Sequence, residues 1–113
     1  MNMETKLRWL AVLAGALLLT GCEAQKIGDI KADPSKYSGK TVHVAGRVTT
    51  SFGVLSSGAY EIEDDTGKIF VLSNSGVPAQ GSNVVVEGSV FSGAMVAGQS
   101  VGVAIRESKH EVQ

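Results

Sequence analysis

The chain has a single cysteine, Cys22, so no disulfide can close within it. A small domain lacking that staple is held by packing alone. Aromatic residues are few, 5% of the total, and beyond residue 22 they are Tyr37, Phe52, Tyr60, Phe70 and Phe91. Five rings cannot supply both a core and a broad stacking platform. An excess of charge is missing too. Setting aside Lys6, Arg8 and Glu4, the totals of 10 basic and 11 acidic residues fall to 8 and 10, a net charge near −2. Long-range attraction of phosphate backbones needs a basic surplus, which is absent. The apolar stretch Trp9–Leu19 is shorter than the roughly 20 residues that a bilayer span requires. After residue 22 no long amphipathic helical period appears. Nucleophilic catalysis needs a base beside a serine or thiol. His43 and His110 have no evident partner of that kind, so the chain reads as a non-enzyme.

The start of the chain is an address rather than structure. Lys6 and Arg8 precede the apolar run, which ends in Leu19-Thr20-Gly21-Cys22. This order resembles the lipobox of bacterial lipoproteins. The resemblance implies a signal peptide over residues 1–21 and a diacylglycerol on Cys22 Sγ, with Cys22 as the acylated, palmitate-bearing N-terminus. Acyl chains contribute about 0.8 kcal/mol per buried methylene, so two or three of them anchor durably. The expectation is a protein held on a membrane surface in the cell envelope. Glu23 follows the cysteine, where aspartate in similar lipoproteins favours the inner membrane, so the lean is to the outer membrane facing the periplasm. Residues 22–39 then read as lipidated tether and lead-in. Within them "DPSKY" (Asp33–Tyr37) suits a turn or one helical turn, with Asp33 as cap and Pro34 at the first position.

From Thr41 the period changes to two. Val42, Val44 and Val48 share a face with Gly46, opposite Thr41, His43, Ala45 and Arg47. Tyr60 and Ile62 resume an alternating row, and "DDTG" (Asp64–Gly67) predicts a type I turn with Gly67 at positive φ. Lys68–Asn74 is the return strand. "NVVVEGSVF" (Asn83–Phe91) is a fourth, "SGAMVAG" (Ser92–Gly98) a loose hairpin, and a fifth strand aligns Val101, Val103 and Ile105. "GKTVHVAGRV" (Gly39–Val48) and "GSNVVVEGSV" (Gly81–Val90) spell nearly the same strand, each with an interior glycine. Five short strands with glycine-rich turns and no crossover helices predict an all-β, five-stranded antiparallel barrel over residues 40–110. In so small a barrel Gly46 and Gly88 would supply the bend and let another backbone approach.

"DPSKYSGKTVHVAGRV", "YEIEDDTGKIFVL" and "VPAQG" leading into "VVVEGSV" together resemble the OB-fold, a Greek-key barrel, in particular bacterial proteins related to the anticodon-binding type. The resemblance implies a ligand face on the second and third strands flanked by the loops after the first and fourth. On this chain those are Phe52–Gly58, the outward residues among Ala59–Ser73, and Phe91–Gly98. Candidate ligand-binding residues are Phe52, Arg47, Tyr60, Lys68 and Phe91. The reading is a membrane-anchored, non-enzymatic OB-fold binding module for a protein, peptide or glycan of the envelope, with no cofactor beyond the lipid.

The competing class is a single-stranded nucleic-acid binder, which needs a cationic groove with aromatic interleaving. Glu61, Glu63, Asp64 and Asp65 load the central hairpin with the opposite sign. The same cluster invites a cation, but calcium needs six or more converging oxygens and no loop of ligand spacing follows. A haem alternative rests on His110, because the chain's end faintly resembles the periplasmic haem chaperone of cytochrome c maturation. There the motif is H-D-x-x-Y; here His110-Glu111-Val112-Gln113 lacks both the aspartate and the tyrosine. His110 is expected in a frayed tail.

Overall fold

The computed structural model describes residues 24–54 and 57–113. Two short helices, α1 (Ile27–Ala32) and α2 (Pro34–Tyr37), precede five strands: β1 (Thr41–Val54), β2 (Ser57–Glu63), β3 (Lys68–Ser73), β4 (Asn83–Val96) and β5 (Gln99–Val112). They form one sheet closed on itself in the order β1-β2-β3-β5-β4. Every neighbouring pair is antiparallel except β3 and β5, which run parallel. The expected all-antiparallel arrangement is therefore corrected to a mixed sheet. The reason is topological: β5 arrives by a hairpin from β4, whose far side is taken by β1, so β5 meets β3 running in the same direction.

The valine rows do what their period dictates. Val42, Val44, Val48, Val84, Val86 and Val90 are buried with Tyr60, Ile62, Ile69, Val71 and Ile105 in one cluster inside the ring. The core extends into the lead-in, which reads as polar in sequence. Ile27 and Ile30, three apart on α1, are both fully buried in that cluster. Asp33 occupies the cap position of α2 but makes no side-chain cap bond; it accepts from the Ser35 hydroxyl instead.

β1 is shared between two partners. Residues Thr41–Arg47 pair with β4 and Arg47–Val54 with β2, so Arg47 is the hinge of the closure. The turn there is made by an extra residue, Thr49, between the pairs Val48–Ile62 and Thr50–Glu61. A second extra residue, Ser108, lies in β5 between the pairs Glu87–Lys109 and Gly88–Glu107. Bulge and glycine thus coincide at Gly88, and nearly so at Gly46.

The β2–β3 turn is built on Asp64. Its Oδ1 accepts from the backbone N–H groups of Thr66 and Gly67 at 2.7 and 3.1 Å and from the Thr66 hydroxyl. Gly67 is not in the left-handed region, contrary to the turn expected there, because these side-chain bonds close the loop without it.

β4 and β5 continue past the expected loose hairpin to a tight turn with Val96 opposite Gln99. Ala97 and Gly98 there have φ of 51° and 81°, as in a type I′ turn. The register slips at Ser92–Gly93 and at Val101, next to Gly102, with Gly93 and Gly102 both at positive φ, and Val101 and Val103 are only partly buried while Ile105 is fully so. Alanine gains nothing from the left-handed conformation that asparagine tolerates. Ala97→Asn should therefore raise the free energy of unfolding by about 0.5–1 kcal/mol, read as a shift in urea midpoint at constant slope.

Candidate ligand-binding face

Register places outward residues of the five strands in two adjoining rows. One runs Phe52 (β1), Ala59 (β2), Leu72 (β3), Arg106 (β5). The next runs Thr50, Glu61, Phe70, Ala104 and, on β4, Phe91. Residues directly opposite stand about 4.5–5.5 Å apart at Cβ, so each row is continuous. Ala59 and Ala104 are buried although they lie in outward rows. Their small side chains form a floor between larger neighbours, Phe52 and Leu72 on one side, Phe70 and Phe91 on the other. Phe52 is 45% exposed, and the Arg106 guanidinium lies 4.5 Å over the Phe91 ring.

Charge on this face is Glu61 in the second row and Arg106 at the end of the first, and the remaining charges lie at its border. Arg47 Nη2 donates to Glu63 Oε1 at 2.6 Å, and Lys68 stands opposite Glu63 in the register. Glu61 Oε1 accepts from the Thr49 hydroxyl at 2.8 Å. Asp64 is occupied in its turn, and Asp65 takes Lys26 Nζ at 3.4 Å. The acidic run of the hairpin is thus spread over four separate partnerships. Among the described residues no three His, Cys, Asp or Glu side chains are grouped to hold a metal ion.

The loops at one end of the ring are uncharged and packed on each other. Gly53 and Gly58, near the end of the β1–β2 ribbon, leave room for Val77 of the β3–β4 loop; a Cβ on Gly53 would meet Val77 Cγ2 at 2.7 Å. Ser51 Oγ donates to the Pro78 carbonyl at 2.8 Å. Between Arg47 and Glu61, and again between Lys68 and Glu87, the chain has no charged side chain.

Of the residues singled out from sequence, Phe52, Arg47, Lys68 and Phe91 are outward on or beside this face. Tyr60 is not. It is fully buried, its phenol donating to Glu107 Oε1, so it belongs to the core. Its alternation with Ile62 already pointed inward. Phe70 and Leu72, outward in the expected Ala59–Ser73 stretch, complete the face with Arg106, whose place is fixed by the β3–β5 pairing, which strand periodicity cannot reveal. Cys22 lies outside the described residues.

Beneath the face lies a polar cluster. The Glu107 side chain is 1% exposed. Its Oε1 accepts from Tyr60 and from His110 Nδ1 at 2.6 Å, and its Oε2 from the hydroxyls of Ser73 and Ser75 at 2.7 and 2.8 Å. Burial pushes the carboxyl up, but bonds from Tyr60, Ser73 and Ser75 and the charge of His110 outweigh it and hold Glu107 below the usual carboxylate range. Burial and the adjacent carboxylate push the Tyr60 phenol far above its ordinary value, keeping it a donor. His110 is therefore no frayed tail. It lies within β5, its side chain mostly covered, with its ring edge-on to Tyr60 at 5.7 Å.

No protein-family model and no curated protein matches the chain. Solved structures do. Asparaginyl-tRNA synthetase from Pyrococcus horikoshii, complexed with asparaginyl-adenylate, aligns over 80% of this chain at 25% identity and a TM-score of 0.62. A second structure of that synthetase aligns over 68% at 27% identity and 0.53. The OBody AM3L09, bound to hen egg-white lysozyme, aligns over 68% at 20% identity and 0.54, covering 84% of its own length. The chain spans only 22% and 20% of the two synthetase chains. The described architecture is OB-fold-like.

Proposed function

We propose that this chain is a lipid-anchored OB-fold interaction module of the cell envelope, without catalytic activity of its own, that takes a protein, peptide or glycan on the outer face of β2, β3 and β5. One observation carries the reading: the face has an apolar centre, Phe52–Ala59–Leu72 beside Phe70–Ala104–Phe91, with Arg47 and Glu63 at its border paired to each other. Such a surface suits a neutral or amphipathic ligand held by shape and a few polar contacts. Acylation of Cys22 would concentrate it at the membrane surface. The fold itself does not choose a partner, since folds of this kind host unrelated functions.

Single-stranded nucleic acid is the second reading, favoured by the likeness to a tRNA synthetase and by the Arg106–Phe91 stack. Stacking alone does not make such a site; a cationic groove must track the backbone. Here Arg47 is tied to Glu63 and Glu61 lies in the central row.

Chemical-shift mapping of the Cys22→Ser protein separates the two. Titration with envelope glycan fragments and with apolar peptides is expected to move Phe52, Leu72, Phe70, Phe91 and Arg106. A mixed-sequence oligonucleotide in low salt is expected to move none of them. Micromolar oligonucleotide binding at these residues would replace the first reading with the second.

A further inference from the structure

We infer that the tip of the β4–β5 hairpin, Ala94 to Gly102, rests on the phospholipid bilayer that holds the chain's own anchor, with Lys36 and Lys40 at the hairpin's root meeting lipid phosphates. This rests on the acylation of Cys22 proposed above.

The tether leaves no slack. Gln25 is fastened to β1 like a short added strand: its N–H donates to the His43 carbonyl at 2.7 Å, and its side-chain carbonyl accepts from the His43 N–H at 2.8 Å. From Gln25 back to Cys22 is three residues, about 11 Å when fully extended. An acylated Cys22 would therefore hold the folded ring directly against the headgroups, where a freely jointed linker would let it drift away.

The fold then decides which end lies there. The first turn of α1, two residues past Gln25, is bonded to the β2–β3 turn: Ile27 N–H to Asp64 at 2.9 Å and Gly28 N–H to the Thr66 hydroxyl at 2.8 Å. Because β3 and β5 are parallel with Phe70 opposite Ala104, the residues just before each lie at the same end of the ring. Those are the β2–β3 turn and the hairpin tip. The tether and the tip thus share one end, while Phe52, the β3–β4 loop and Val112 lie towards the other.

The chemistry of the tip suits that place. Between Glu87 and Arg106 the chain carries no charged side chain, and Met95 at the tip is 58% exposed. Cations stand at the root. Lys40 O accepts from Val90 N–H at 3.3 Å, one residue before Phe91, and Lys36 covers Tyr37 in the helix that leads to it. An uncharged tip whose exposed large apolar side chain is Met95, with lysines set back from it, matches an interfacial contact, in which apolar groups enter the headgroup–acyl boundary and basic groups remain among phosphates.

Trp9 precedes Cys22 and is lost with the signal peptide, so Met95→Trp introduces the only indole of the processed protein. The acylated full-length product is reconstituted in phosphatidylglycerol–phosphatidylethanolamine vesicles with brominated acyl chains, and intact mass reports acylation. Met95→Trp is expected to be blue-shifted and quenched by bromine, and less so with Lys36→Gln and Lys40→Gln added. Val112→Trp, equally exposed but at the far end of β5, is expected to emit as in water. An acylated Met95→Trp that behaves like Val112→Trp overturns the inference while leaving the anchor intact. A blue shift without bromine quenching assigns the tip to a protein contact and also overturns it. A mass lacking acyl chains refutes the anchor, and this inference with it.

Discussion

Glu107→Ala is expected to lower the free energy of unfolding by about 3–5 kcal/mol, the range seen when one member of a buried, hydrogen-bonded charged set is removed. The carboxylate is the shared acceptor of four donors, Tyr60, His110, Ser73 and Ser75, drawn from β2, β5, β3 and the loop after it. Alanine leaves a cavity faced by the buried Tyr60 and Ser73 hydroxyls, which lose their acceptor without ready access to water. A domain of this size has roughly 5–15 kcal/mol in total, so the loss would be visible as a collapse of the urea midpoint. Tyr60→Phe removes one donor and keeps the ring, and should cost only about 1 kcal/mol. A Glu107→Ala loss no larger than that of Tyr60→Phe would mean that the cluster is not a unit.

The same carboxylate sets the acid limb of stability. Its pKa is depressed in the folded state, so its contribution is fully present above the ordinary glutamate value of about 4.3 and fades as the pH falls through the lower folded value. Asp64 acts in the same direction: burial raises its pKa, but bonds from the backbone of Ile27, from Thr66 and from Gly67 outweigh that and lower it. Glu107→Gln should flatten the stability profile below about pH 5 without removing the slope entirely, since Asp64 remains. Urea unfolding at a series of pH values from 7 downward measures both slopes.

That cluster was the least legible feature of the sequence. Strand periodicity carried the six inward valines and the two interior glycines, because alternation over Thr41–Val48 and Asn83–Val90 is nearly unbroken and every inward slot other than Gly46 and Gly88 is valine. It failed at "IRESKHEV", where a simple period of two would send Lys109, not His110, to the side of Ile105 and Glu107. The inserted Ser108, whose hydroxyl donates to the Glu87 carbonyl at 2.9 Å, shifts the alternation by one and brings His110 inward. Nothing local announces a bulge whose cause is the partner strand. The ligand face was half legible for a similar reason. Phe52 and Phe91 stand out as apolar residues beside turns, but the row joining Phe70 to Phe91 through Ala104 exists only once β3 and β5 are side by side. Sequence-distant parallel pairing leaves no periodic trace within either strand.

Gly88→Ala tests the curl of the ring itself, and the expected cost is about 3 kcal/mol. A Cβ built on Gly88 would overlap the carbonyl oxygen of Arg106, approach its carbonyl carbon to 2.9 Å and meet Ile105 Cγ2 at 2.8 Å. Two of these three atoms are backbone, fixed by the β4–β5 ladder, so relief requires moving the strand and with it the bulge that aims Glu107 and His110 inward. Gly46→Ala should be milder, about 1–2 kcal/mol. Its Cβ would lie 2.8 Å from the carbonyl oxygen of Glu63, at the last residue of β2, where the strand has room to yield towards the turn. The unfolded state pulls the other way, since alanine in place of glycine restricts the denatured chain and by itself stabilises by about 0.4–1 kcal/mol. The two effects have opposite signs, so the measurement decides between them. If Gly88→Ala unfolds at the same or a higher urea concentration than the parent, no strand approaches there, and glycine is not what lets this short sheet close.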